Sequence, residues 1–142
     1  VSAIPNTFII NGPGLTSPLD LPPPPTADVR KLHRIYKSPN GQLWFGTDGV
    51  CPTSDPSTLP DIYIVRFASG RNAGWVDATT AQKLWEWFEN GSTFQITTNI
   101  TIPQFSNQNF RFYYEGGGNP LSLVRAGVDT RYWRYDMTLV TV

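Results

Sequence analysis

Charge is scarce in this sequence. Eleven basic and eleven acidic residues cancel over 142 positions, charged residues make up only 15%, and no basic cluster is longer than Arg30-Lys31. Binders of nucleic acid or anionic membranes need a concentrated positive surface, so neither nucleic acid nor membrane insertion is expected. Cysteine is reduced to Cys51, which excludes an internal disulfide framework and reads as a packed thiol. Histidine is reduced to His33. A metal centre on one His and one Cys would need two or more carboxylates, and no spacing offers them, so neither metal nor cofactor is expected. The opening "VSAIPNTFIINGPG" has no basic leader followed by an apolar core, so neither a signal peptide nor a membrane span is expected in it. Its first residue is Val instead of Met, as in a processed or excised fragment.

The same scarcity argues against catalysis. His33 stands in "RKLHRIY", where two arginines and a lysine oppose its protonation, and no nucleophile elbow adjoins it. Glu86 and Glu89 fit solvated helix charges better than a glycosidase pair. Thr47-Asp48-Gly49 lacks the repeating acidic spacing of a calcium loop, and Gly116-Gly117-Gly118 lacks the spacing of a phosphate cradle. No enzyme is expected; a β-sandwich hydrolase using Asp and Glu is the least favoured class. Two sequons, Asn90-Gly91-Ser92 and Asn99-Ile100-Thr101, read as coincidence unless the chain is secretory.

What the chain has is aromatic residues, 13% of it, with five Trp, six Tyr and eight Phe. They fall in alternating patterns. In "TFQITTNITI" Phe94, Ile96, Thr98, Ile100 and Ile102 share one face; in "NFRFYYE" Phe110, Phe112 and Tyr114 do. The two runs are expected to pair as a hairpin, with "PQFSNQ" as the connection. "DIYIVRF", "LSLVRAG" and "RYWRYDMTLVTV" read as further strands, the last with Trp133, Tyr135, Met137 and Leu139 on one face. "HRIYKSPNGQLWFG" reads as strand, turn and strand around Pro39-Asn40-Gly41, and "GTDGVCPTSDPSTLP" as a long surface loop.

One segment has a period near 3.6. "DATTAQKLWEWFENG" offers Asp77 as N-cap, Asn90-Gly91 as left-handed stop, and Ala81, Leu84, Trp85 and Phe88 as a core stripe. The fold class expected is mainly β: an antiparallel β-sandwich or jelly-roll-like barrel with one inserted helix at about residues 78–90. Trp87 points about 100° from the stripe's centre, so it is either covered by a loop or a contact residue. Outward-facing Arg111 and Tyr113, with Tyr132, Arg134 and Asp136, interleave rings with guanidinium and carboxylate groups. Such a surface suits sugars and protein partners, and equally an ordinary solvated sheet. These six residues form the candidate binding set.

Residues 1–25 are read as an extended N-terminal arm and a Pro-rich hinge, "NGPGLTSPLDLPPPPT", with 26–142 as a single antiparallel β domain. Pro22 to Pro25 must be extended, as befits a spacer. An arm, a hinge and an aromatic-rich β domain ending in "YWRYDMTLVTV" together resemble the projecting (protruding) surface domain of coat proteins from small non-enveloped RNA viruses. The resemblance implies a domain on the virion surface or otherwise extracellular, a homo-oligomer (dimer or trimer), and attachment to a host receptor or glycan. It carries over no individual site residue. The alternative is a stand-alone glycan-binding module, lectin-like or an adhesin tip.

Overall fold

Period-two alternation becomes strands wherever a partner edge exists. The computed structural model describes residues 6–31, 35–37, 43–45, 62–128 and 131–142. Its strands are β1 (Phe8–Asn11), β2 (Leu19–Asp20), β3 (Thr26–Lys31), β4 (Ile35–Lys37), β5 (Leu43–Phe45), β6 (Tyr63–Ala68), β7 (Val76–Asp77), β8 (Phe94–Thr98), β9 (Phe105–Phe112), β10 (Leu121–Arg125) and β11 (Tyr132–Thr141), with helix α1 (Ala78–Asn90) after β7. Nine strands form one antiparallel sheet in the order β2-β1-β8-β9-β11-β6-β3, with β10 and β7 on the remaining length of β11; β4 and β5 form a separate pair. The expected mainly β, sandwich-like fold is the fold observed, with one α-helix among the described residues.

Strand β11 is bonded along both edges. Met137 is opposite both Leu121 of β10 and Phe67 of β6, and Leu139 is opposite both Phe112 of β9 and Val65 of β6. One edge is therefore shared by β10 and β9, which change over at Thr138: its carbonyl accepts from the Tyr113 N–H at 3.0 Å and its N–H donates to the Pro120 carbonyl at 2.8 Å. The other edge is shared by β7 and β6. The gap between them is closed by Ser69, whose N–H donates to the Tyr135 carbonyl at 2.9 Å and whose hydroxyl accepts from the Tyr135 N–H at 2.7 Å.

The sheet cannot be flat. From β2 to β3 are six strand steps, about 29 Å at the usual inter-strand spacing. The chain joins these two edges through Leu21–Pro25, whose six Cα steps reach at most about 22 Å when fully extended. The sheet folds over, and the rings of Phe8 on β1 and Phe67 on β6 meet at 5.0 Å although three strands intervene between them. Phe8, Ile10, Val65, Phe67, Phe94, Ile96, Phe110, Met137 and Leu139 fill the space between the layers.

The proline rod is thus a strap across the end of the sandwich. Pro24 is buried, and the rod is clasped by the loop after β6. At Gly74 (φ +78°) a Cβ would come within 2.8 Å of Pro25 Cδ and 3.1 Å of Pro24 Cα. Residues 8–25 are therefore not an arm and hinge: β1 pairs with β8 over four residues, and Phe8 and Ile10 are fully buried. Residues 12–15 form the turn between β1 and β2, closed by the Leu15 N–H donating to the Gly12 carbonyl at 3.3 Å. Only glycine fits at position 12, since a Cβ there would stand 2.6 Å from the Trp87 ring.

The helix begins and ends as expected. Asp77 Oδ1 accepts from the Thr80 N–H at 2.8 Å, and Gly91 adopts the left-handed conformation with φ 62°. Two strand readings shift. The β8 pattern stops at Thr98, where the chain turns on an Asn99 side chain that accepts from the Thr7 N–H at 2.8 Å, and Ile102 is left exposed. β9 starts at Phe105, so most of the run read as a connection is strand. The two runs do pair as a hairpin, with a register shift between Ile96 and Thr98. Strands β4 and β5 pair antiparallel as read; the turn between them, His33, Cys51 and the long Pro/Ser/Thr loop lie outside the described residues.

Two outcomes follow from the core. A chain starting at Thr26 loses Phe8 and Ile10, each worth roughly 1.5–3 kcal/mol of burial, against a total stability of about 5–15 kcal/mol. It is expected to lose its cooperative thermal transition in circular dichroism; a melt like that of the full chain would contradict this packing. Tyr135 is buried with a hydroxyl that has no hydrogen-bond partner among the described residues, and burial pushes its phenol above the ordinary value of 10.0. Because the unfolded chain ionises first, this stability is present below about pH 10 and lost as pH rises further. In thermal melts across that range, Tyr135→Phe is expected to remove the alkaline loss and leave neutral-pH stability unchanged or raised by about 1 kcal/mol.

Candidate functional site

The six residues read from the sequence as a binding set do not form one surface. Trp87 is core: it is 2% exposed, stacks on Phe94 at 4.9 Å and 17°, and donates its indole N–H to the Pro13 carbonyl at 2.9 Å. The buried helix residues are Thr80, Ala81, Leu84 and Trp87, while Trp85 is 38% exposed. The stripe is rotated because the turn after β1 covers the Trp87 side of the helix, which periodicity alone could not reveal. Trp87 is withdrawn as a contact residue.

The other five share a face but are not together. Arg111 is opposite Val140, and eight residue steps of β11, about 27 Å of strand, separate Val140 from Tyr132. Asp136 is engaged by Arg66 in a two-pronged pair, Nε to Oδ1 at 3.0 Å and Nη2 to Oδ2 at 2.6 Å. That hydrogen bond and the attached charge raise the Arg66 guanidinium pKa further. Tyr132 is exposed beside Trp75 at 6.4 Å, with the Arg131 guanidinium 5.8 Å from its ring. The Arg134 Nε is buried without a hydrogen-bond partner among the described residues.

Arg111 and Tyr113, by contrast, line a groove of about 610 Å³ where the end of α1 meets the end of β9. Its walls are rings. Phe88 meets Phe112 at 5.6 Å edge to face and Tyr114 at 6.0 Å, and Phe112 leans on core Phe94 at 5.4 Å. These contacts hold the wall against the core while Tyr114 stays 60% exposed. The helix ends here because Gly91 turns left-handed, and this leaves Glu89 and Asn90 on the groove's rim. Among the described residues neither Arg111 nor Glu89 makes an ion pair or side-chain hydrogen bond. The groove therefore presents ring faces for C–H contacts, a guanidinium, a carboxylate and an amide.

Comparison with protein-family models, curated proteins and solved structures finds no match for this chain. Its chemistry must be read from these residues alone. Among the described residues no three His, Cys, Asp or Glu side chains stand together as metal ligands.

Of the groove's residues, Arg111 and Tyr113 belong to the set expected from the sequence, while Phe88, expected in the core stripe, and Tyr114, expected to face inward, do not. The doubled tyrosine in "FYYE" was the available signal. Two consecutive large rings at the end of a strand cannot both face the core.

The two helix indoles separate core from surface. Trp87→Ala is expected to cost about 3–5 kcal/mol in urea denaturation, and Trp85→Ala less than half as much. Equal costs would show that the helix is rotated from the orientation described.

Proposed function

We propose that this protein is a recognition domain that binds saccharide through the groove between α1 and β9, in the setting of host attachment from a virion surface. The single observation that carries the reading is the groove itself: an exposed tyrosine backed by packed rings, with a cation and an anion on the same rim that are unpaired among the described residues. Sugar rings present C–H faces that stack on aromatic rings, and hydroxyls that satisfy guanidinium, carboxylate and amide groups together. A domain that held such rings only for stability would bury them, because exposing a large apolar ring forgoes its burial energy. The virion setting comes from the layout of an aromatic-rich β domain, and a stand-alone glycan-binding module would use the same groove.

The test is binding to an array of immobilised glycans. Tyr114→Ala and Arg111→Ala are expected to weaken binding of any recognised glycan by ten-fold or more, about 1.4 kcal/mol, with the melting temperature little changed. Parent-like binding by both variants would remove the groove from the function.

A further inference from the structure

The groove is not the only depression along the helix. Between α1, β10 and β11 lies a second, of about 190 Å³, with Ala78 and Ala81 among its lining residues, Trp85 and Trp133 as indole walls, and Gln82 and Leu123 completing it. Ala78, Gln82, Trp85 and Glu89 follow one another at intervals of four, three and four residues, so they share one flank of the helix. The two depressions meet where Trp85, which lines the second, contacts Phe88, which lines the first, at 5.3 Å.

We infer that the two depressions form one continuous track, and that the ligand is a neutral linear oligosaccharide lying along the helix flank. The inference rests on the saccharide reading of the groove and extends it. From Ala78 to Glu89 the helix rises about 16 Å, the extended length of about three linked hexoses. Indole and phenyl faces recur along that length, with Gln82 and Glu89 between them on the same flank. The small side chains at Ala78 and Ala81 let a flat ring approach the helix beside Trp85. Among the described residues one carboxylate and one guanidinium line the track, so its charge balance suits an uncharged chain. An extended peptide fits less well. It brings an N–H and a C=O at nearly every residue, and those of a helix flank are already bonded within the helix, leaving side chains as its only partners. Sugar hydroxyls on the open side stay in water.

The experiment titrates the full chain, by calorimetry, with ladders of one to four units in the cello-, chito- and N-acetyllactosamine series. At least one series is expected to gain ten-fold or more in affinity between one and four units. Trp85→Ala should abolish that gain while leaving the one-unit affinity within about two-fold, and Trp85→Phe should restore part of it. If one and four units bind alike and Trp85→Ala changes neither, the track is overturned and the groove stands alone. If no ladder binds at any length, the saccharide reading falls and the track with it. Binding of a hexaproline peptide in a Trp85-dependent way, with no ladder bound, would assign the track to peptide and overturn the inference.

Discussion

Four strands depend on the ten residues of β11 for their place. With β10 and β9 on one edge and β7 and β6 on the other, nearly every backbone group along its length is bonded to a neighbour. An antiparallel strand bonded on both edges has its register fixed twice over. A slip of one residue would expel Tyr135, Met137 and Leu139 from the core and disturb the ladders on both edges at once. The changeovers at Thr138 and Tyr135 are where neighbouring strands part and the sheet divides. There Tyr113, Pro120 and Ser69 supply the bonds that strands would otherwise make.

The helix takes its orientation from this strand. Its first N–H groups are held at both ends of a short span: Ala78 donates to the Arg131 carbonyl at 3.0 Å, just before β11, and Thr80 to the Asp77 cap on β7. Its far end is set by Trp87, locked between Phe94 and the turn after β1. With both ends anchored, the helix cannot roll, and the flank carrying Trp85, Phe88 and Glu89 is left facing the depressions. Core packing, not the helix's own sequence, creates the candidate site.

The strap of prolines plays the matching part at the sheet's edges. A polyproline stretch loses little entropy on folding because it is already extended. Here that stiffness joins the two edge strands across the end of the sandwich, against Gly70 and Gly74. The aromatic surplus then divides. Phe8, Phe67, Phe94, Phe110 and Trp87 fill the interior, while Trp85 and Tyr114 are exposed on either side of the half-buried Phe88.

Features set by neighbours in the chain were legible from the residues alone. They include the Asp77 cap, the Gly91 stop, the alternation that puts Tyr135, Met137 and Leu139 on one face, and the extended conformation of Pro22–Pro25. Each follows from backbone sterics or from the period of a helix or strand, which a few residues determine. Which helix flank is buried, whether Phe8 and Ile10 belong to an arm or to the core, and where the β8 pattern stops were decided only in three dimensions. With an indole on each flank, at Trp85 and Trp87, the helix had two apolar faces of similar worth, and burial chose between them through contacts from residues more than 70 positions away in the chain.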